Sequence, residues 1–428
     1  MQSCRCMPMH SESMPVDRPS LAVDGGPPVL APGALPSTCD ARGRTIGTEE
    51  EEAVLRVLRS GMLSGVWGTE VKALEGEFAA MMGSAHAVSC SSGTAALHLA
   101  VAAVDPAPGE EIIVPPISDM GSVLPVIAQN AIPVFADLDP STGCLDPDDV
   151  KRKLTPRTRA ILVVHLFGGA AQVQELRRIA DEAGVMLIED CAQAYLAREH
   201  ADAPLVGTAG HIGCFSLQQT KHITTGDGGL VITADPELAR AMRLFADKAW
   251  PRDTGERTYL SFALNYRMPE LTGAVARAQL RKLHGVVERR RSAADQLTRH
   301  LEGLSGLSTP SLQSEHAFWY YPLLVDGLDR EGLRRYSAAL NAEGVPCVAG
   351  YIARPLYAEP VLRDSSAYGG SGFPTRGAIE YPDGLCPVAE DLIDHRLLAI
   401  PWNENFTAGQ VDAIGSAIEK VHRDVVPA

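Results

Sequence analysis

Several common chemistries lack their parts in this 428-residue chain. Its nine cysteines include no CxxC pair and no Cys/His group at zinc-ligand spacing. An odd count without a framework fits a reducing cytoplasm. Cys90, Cys191 and Cys214 sit among apolar or Gly/Ser neighbours and read as buried free thiols. Basic residues are outnumbered, 38 against 53 acids, and a net charge of −15 argues against nucleic-acid or anionic-membrane partners. No apolar run approaches a membrane span. The polar start, with Cys4 and Cys6, lacks the apolar stretch of a secretory signal, and residues 1–20 read as a disordered extension. Neither GxxxxGK[ST] nor GxGxxG occurs in a phosphate-binding context: the cluster "GDGG" follows Lys221 instead of preceding it. Aromatics make up only 5%, and none falls between Phe78 and Phe135.

What is present is alternation. Apolar content of 45% is enough for a large core, and the length allows two domains. Thr48 can cap a helix with an acidic first turn, apolar on the face of Ala53, Val54, Val57 and Leu58 and ended by Gly61. A second helix covers Glu70 to Met82. Strand candidates then follow: "AHAVSC", "EIIVPP", "IPVFADLD", "AILVVHLFG", "VMLIED", "IGCFSL" and "GLVIT". Several are apolar nearly throughout, as strands buried on both faces are. Helical stretches such as Thr94–Val104, Leu124–Asn130 and Val173–Ala183 separate them, so the expected fold is α/β with a mostly parallel sheet. A charged helical connection, "AQLRKLHGVVERRRSAADQLTRHLEGL", leads to a smaller α/β domain. There "HAFWYYPLLVD" reads as a strand, "REGLRRYSAALNAEGV" as a helix, and Ser365 to Cys386 as a long loop. The expected domains are 21–285 and 286–428.

Three segments carry chemistry. In "SCSSGTAALHLAVAAV" a strand gives way to a helix near Thr94. Such a helix start offers free N–H groups and a positive dipole end to a phosphate, with Gly93 permitting close approach. Alone, it is an ordinary cap. In "VMLIEDCAQAY", Glu189 and Asp190 end a strand, where α/β proteins place ligand-facing acids; a helix cap and a metal ligand are the alternatives, and no second acidic/His cluster supports the metal. In "SLQQTKHITTGDGGLVIT", Lys221 is a surface charge, a phosphate clamp or a nucleophile for a carbonyl. Together, a phosphate cup, a strand-end acid and a turn lysine are the parts that pyridoxal phosphate needs.

The ordered motifs SSGTAALHLA, VPP, VHLFG, IEDCAQA, SLQQTK…TGDGG and NYRMPELTGAVARAQL resemble the sugar and aminocyclitol aminotransferases of fold type I, the DegT/DnrJ/EryC1/StrS group. "GYIARPLYAEP" and "CPVAEDL" look most like the branch with glutamine:scyllo-inosose aminotransferases and aminohydroxybenzoate synthases. The resemblance implies pyridoxal 5′-phosphate bonded to Lys221, which also shuttles the proton. It implies Asp190 on the pyridinium nitrogen, Gln193 near the phenolic oxygen, and Gly93, Thr94 and Ser216 on the phosphate. Asn265 would reach the neighbouring subunit's cofactor in a homodimer with shared sites; from the residues alone it is a helix-entry cap. His165 and Tyr351 are looser substrate-side candidates. The implied activity is transfer of an amino group from glutamine or glutamate to a keto-cyclitol or keto-sugar, in the cytoplasm, with no metal. One departure stands out. After "VPP" such enzymes carry a ring-stacking aromatic, whereas "PPISDMGSV" puts Asp119 or Met120 there. An acid at that point can bind a substrate hydroxyl or amine, and it motivates an alternative: a lyase, dehydratase or condensation enzyme with the same cofactor. A second departure is Asp227 in place of a glutamate. Relatives with histidine for the lysine act as dehydratases; Lys221 is present, with His222 adjacent.

Overall fold

The seven apolar runs form one sheet. In the computed structural model, which describes residues 20–312, 315–364 and 368–426, the strands are β1 His86–Cys90, β2 Glu111–Val114, β3 Ile132–Phe135, β4 Thr158–Val164, β5 Met186–Asp190, β6 Ile212–Ser216 and β7 Gly229–Thr233. Residues 1–19, with Cys4 and Cys6, lie outside the described residues, as does the start of the expected loop at 365–367. Every residue of β2, β3, β6 and β7 is buried, because helices cover both faces. The order is β1-β7-β6-β5-β4-β2-β3; β7 runs antiparallel to both neighbours and the other pairings are parallel. This is an α/β, fold type I architecture.

Register places the site. Asp190 lies level with Val164 of β4 and Cys214 of β6, so its carboxylate emerges at the C-terminal edge of the parallel strands. Gly229 of β7 lies level with both Cys90 and Ser216, which brings the end of β1 beside the end of β6. The helix that follows β1, Gly93–Val104, therefore starts against Ser216.

Among the described residues two α-helices precede the sheet, Thr48–Ser60 and Glu70–Met82. Thr48 is the first helical residue; Gly47 takes the cap position, and its N–H donates to the Glu50 carboxylate at 2.7 Å. Ala53 and Val57 are buried, but Leu58 is 51% exposed, so only part of the expected apolar face meets the core. Gly61 ends this helix at φ 70°, a left-handed conformation that suits glycine. The long charged connection is two helices, Glu270–Leu280 and Leu283–His300.

A second sheet of four strands has the order β10-β11-β9-β8, all antiparallel: β8 Leu307–Ser308, β9 Tyr320–Val325, β10 Val348–Ala349 and β11 Leu397–Pro401. Helices Arg330–Ala342 and Ala408–Val425 pack on it. The stretch 316–319 precedes β9 and is not strand. The segment 21–43, expected at the head of the large domain, lies instead on this small lobe. Leu21 and Leu35 join its core, and the N–H groups of Ala22 and Val29 donate to the Glu343 carboxylate at 2.8 and 3.0 Å. Conversely, Tyr357, Tyr381 and Cys386 pack into the core of the large sheet. Among the described residues no helix is long and apolar enough to cross a membrane, and the seven described cysteines are free thiols, Cys90, Cys191 and Cys214 among the buried ones.

Candidate active site

The start of helix Gly93–Val104 is built for close approach. A Cβ on Gly93 would lie 2.7 Å from Ser216 Cβ and 2.8 Å from its Oγ, so only glycine fits. Ser92 caps the helix by accepting the Ala95 N–H at 3.0 Å. Among the described residues the N–H groups of Gly93 and Thr94 have no protein acceptor. The Thr94 hydroxyl faces the turn after β2: a Cβ on Gly121 would stand 2.7 Å from Thr94 Oγ1. The result is a cup of unpaired donors at a helix N-terminus, with hydroxyls on its rim.

Asp190 stands beside this cup, only 5% exposed. Its Oδ1 accepts the Ala192 N–H at 3.1 Å and its Oδ2 accepts the Ser122 hydroxyl at 2.8 Å. Ser118 and Ser122 share a further hydrogen bond of 2.8 Å; with Ser122 donating to Asp190, Ser118 is the donor in it. Burial raises the Asp190 pKa, while its hydrogen bonds and the nearby Lys221 oppose that rise. A cation placed against this carboxylate would hold it ionised. The turn carrying Ser122 is itself held by Asp119, whose Oδ1 accepts the Gly121 N–H at 2.8 Å while the residue stays exposed to the cleft. Asp119 therefore has a structural task in addition to facing the cleft.

Lys221 lies in the turn between β6 and β7. Its N–H donates to the Gln218 carbonyl at 2.9 Å, and its own carbonyl accepts Arg44 Nη1 at 2.8 Å. The Gln218 side chain accepts from both the N–H and the hydroxyl of Thr220 at 2.8 Å, which fixes the turn. Lys221 Nζ sits 3.9 Å from the centroid of the Trp319 indole. Burial pushes its pKa from 10.5 down to about 8, against the opposing pull of Asp190 and Asp119. His222 points elsewhere: buried, it donates through Nε2 to the Ala317 carbonyl at 2.9 Å, and burial with the charge of Arg290 pushes its pKa far down.

Gln193 is fixed by the Phe167 N–H, which donates to its Oε1 at 2.7 Å; its Nε2 points to the Tyr351 hydroxyl at 3.5 Å. Tyr351 packs edge-on against Phe167 at 5.0 Å and Trp319 at 6.1 Å. With Ser118, Asp119, Met120 and Glu359 it lines a cavity of about 510 Å³.

Two expected residues use their side chains elsewhere, although the His165 N–H donates to the Asp190 carbonyl at 3.1 Å. His165 is fully buried with both ring nitrogens used: the Ala171 N–H donates to Nδ1 at 3.1 Å, so Nε2 carries the proton and donates to Glu189 Oε2 at 2.9 Å. Glu189 also accepts the N–H groups of Gly207 and Gly210. This pair ties β4, β5 and the following loop together, and no ring nitrogen remains for a substrate. Glu189 and His165 do lie near Cys191 in an arrangement with ligand-like spacing. Burial and the neighbouring acids raise the Cys191 pKa well above the usual thiol range, and the His165 and Glu189 side chains already have protein partners. Asn265 is exposed on the outer surface, where its Oδ1 accepts the Arg267 N–H at 3.4 Å.

Three contributors escaped the sequence reading. Ser122 and Arg44 carry no motif. Trp319 was hidden in a run that reads as an ordinary aromatic strand, 98 residues beyond Lys221. The donor set fits pyridoxal phosphate: unpaired helix-start donors for a phosphate, a dry carboxylate for a ring N–H, and a lysine of depressed pKa for an aldehyde.

Comparison with known proteins agrees. The chain is 38% identical over 385 residues to the L-glutamine:2-deoxy-scyllo-inosose aminotransferase of Streptomyces kanamyceticus, covering 83% of this chain and 86% of that one. Among solved structures, an aminotransferase from Psychrobacter cryohalolentis superposes with a TM-score of 0.79 at 31% identity, covering 89% of this chain and 98% of that one. A 3-amino-5-hydroxybenzoic acid synthase superposes with a TM-score of 0.78 at 28% identity over 89% of this chain and 97% of its own. The family profile itself matches residues 44–419, leaving out only the ends, and membership implies pyridoxal phosphate as cofactor. With its fold and most of its length in agreement, this chain belongs to the DegT/DnrJ/EryC1/StrS aminotransferase family.

Proposed function

We propose that this aminotransferase moves the amino group of glutamine or glutamate to a keto-cyclitol or keto-sugar in a biosynthetic pathway. The observation that carries the reading is the meeting of Lys221, Asp190 and the Gly93–Thr94 helix start at one edge of the sheet. When bound, pyridoxal phosphate supplies an aldehyde that accepts the amino group and a ring that withdraws electrons. The chain's residues do the rest. Gly93, Thr94 and Ser216 bind the phosphate. Asp190 keeps the ring nitrogen protonated. Gln193, fixed by Phe167, orients the phenolic oxygen. Lys221 Nζ, its pKa lowered toward neutrality, is a base at working pH and carries the proton from the donor's α-carbon. Tyr351 and Asp119 line the acceptor's side, where a carboxylate suits the hydroxyls of a polyol.

The same reading takes a homodimer. Ile46, Leu55, Leu58, Trp67 and Phe262 leave apolar surface exposed on the single chain, which supports a second copy covering it. Asn265, exposed and away from the cluster, then serves the neighbouring site. Free thiols fit a cytoplasmic setting.

Asp119 at the cleft keeps a second reading in view: a lyase, dehydratase or condensation reaction with the same cofactor. Purified protein is loaded with pyridoxal phosphate and given glutamine or glutamate. Transamination bleaches the visible band and releases a 2-oxo acid, and a panel of keto-cyclitols and nucleotide keto-sugars then restores the band. A bleached band with no oxo acid would favour the second reading; protein that stays colourless with added cofactor would sink both.

A further inference from the structure

The aromatic ring beneath Lys221 Nζ belongs to the stretch that leads into β9. Trp319 is 6% exposed and pinned on several sides. Its Nε1 donates to the Thr220 carbonyl at 2.8 Å, one residue before Lys221. Tyr320 stacks on it at 4.3 Å between centroids and 19° between planes, and Tyr351 meets it edge-on. Arg290, itself fully buried, donates through Nη1 to the Phe318 carbonyl at 3.0 Å and so fixes the chain just before the indole. Lys221 Nζ lies over this ring, at 3.9 Å from the centroid. That is the geometry in which an indole quadrupole attracts a cation.

We propose that Trp319 is a further member of the reaction machinery: its indole face is the seat that receives the Lys221 ammonium whenever the amine carries a proton. The inference rests on the reading of Lys221 as the cofactor's lysine and extends it. When Nζ takes the α-proton of an amino donor, a C–H bond breaks and its electron pair stays with carbon. The nitrogen lone pair forms the new N–H bond, and an ammonium appears in a site that burial makes hostile to charge. The indole offers that ammonium a stabilising face without a carboxylate, which would neutralise the base by holding its proton too tightly. It also keeps the amine near its point of action between proton uptake and return.

The charged and titratable groups around Nζ are Asp190 at the end of β5, Asp119 in the turn after β2, and the buried His222 next in the chain; the Tyr351 hydroxyl faces both acids. The fluorinated series alters the ring and leaves these groups in place, whereas Trp319→Leu also removes the Nε1 hydrogen bond to Thr220 and the edge contact of Tyr351. In full-length protein without added cofactor, acetic anhydride labelling of Lys221 is followed by peptide mass spectrometry across pH. Trp319→Leu keeps the apolar shield but removes the ring. The labelling midpoint is expected to fall by about half to one pH unit, a loss of roughly three- to tenfold in proton affinity. Wild-type protein grown on mono-, di- and trifluorinated tryptophan keeps the shape and weakens the quadrupole stepwise. Its midpoint is expected to fall in the same order, and this series decides the matter if the leucine variant does not fold. A flat midpoint through the fluorinated series would overturn the proposal. Borohydride reduction after adding pyridoxal phosphate tests the underlying reading separately. A cofactor-sized mass on the Lys221 peptide supports it; no adduct overturns the catalytic use of the seat, whatever the titration shows.

Discussion

The two sheets contribute to the cleft in different ways. The parallel sheet presents polar and charged groups from strand ends and the turns that follow them: the Gly93–Thr94 helix start, Asp190, Ser216 and Lys221. The antiparallel sheet and its approach present rings: Trp319, Tyr320 and Tyr351, packed on Phe167. The first set suits a charged cofactor, and the second confines and orients what moves beside it. The difference follows from architecture. Parallel strands all end at one edge, so short loops gather polar groups there. The small sheet meets that edge side-on and offers its packed surface.

Breaking the polar side should cost most. Lys221→Ala is expected to abolish the visible band of the loaded protein and to lower turnover by about 10⁴-fold or more, read by absorbance and product assay. Asp190→Asn keeps the size of the side chain but removes the carboxylate proposed to hold a ring proton. Turnover should fall roughly 10²- to 10³-fold while folding, followed by circular dichroism, is kept. Gly93→Ala puts a Cβ 2.7 Å from Ser216 Cβ, so the helix start must shift. The expected result is a loss of about 1–3 kcal/mol in urea unfolding together with weaker cofactor binding by equilibrium dialysis. Breaking the ring side should cost less. Tyr351→Phe loses only the long contact to Gln193 and should change kcat/KM by about two- to tenfold, mainly through KM.

The smallest effect sharpens the electrostatics. Asp119 raises the Lys221 pKa, so Asp119→Asn should lower it. In the proposed mechanism the neutral amine is the active form, and its fraction rises as pH climbs through about 8. The labelling profile of the variant should therefore move to lower pH, by about half a unit or less. A shift to higher pH would mean that the carboxylate acts on the turn through Gly121 and not on Lys221 through charge.

All seven strands of the large sheet and most of the helices were legible because each is a local pattern: apolar runs, caps and breakers within a few residues of one another, whereas β8, β10 and β11 were not read. The polar side of the cleft was legible for a related reason. Asp190 and Ser216 end strands, and Lys221 follows one, so the topology of the sheet was enough to gather them. His165 was misleading because a histidine just past a strand end looks the same from sequence whether it faces a substrate or a buried glutamate. The helix at Thr48 began one residue early because glycine left its own N–H for Glu50 to accept. Segment 21–43 joins the small lobe through contacts hundreds of positions away, and no local pattern announces those. Trp319 was hidden for the same reason: its role depends on Thr220 and Lys221, which only the folded chain brings beneath it.

The strap formed by segment 21–43 bears on how the protein is made. Arg44, at its end, supports the Lys221 carbonyl, while Asn403 and Gln410 hold the strap from the far end of the chain, donating to the Gly43 and Ala34 carbonyls at 3.1 and 3.0 Å. On the ribosome the strap emerges well before Asn403 and Gln410, which lie 360 and 376 positions beyond the carbonyls they bind. It must wait, unseated, while the large sheet assembles. The turn that carries the lysine thus gains one of its supports only after Asn403 and Gln410 have been made, and until then a nascent chain holds an unfinished site.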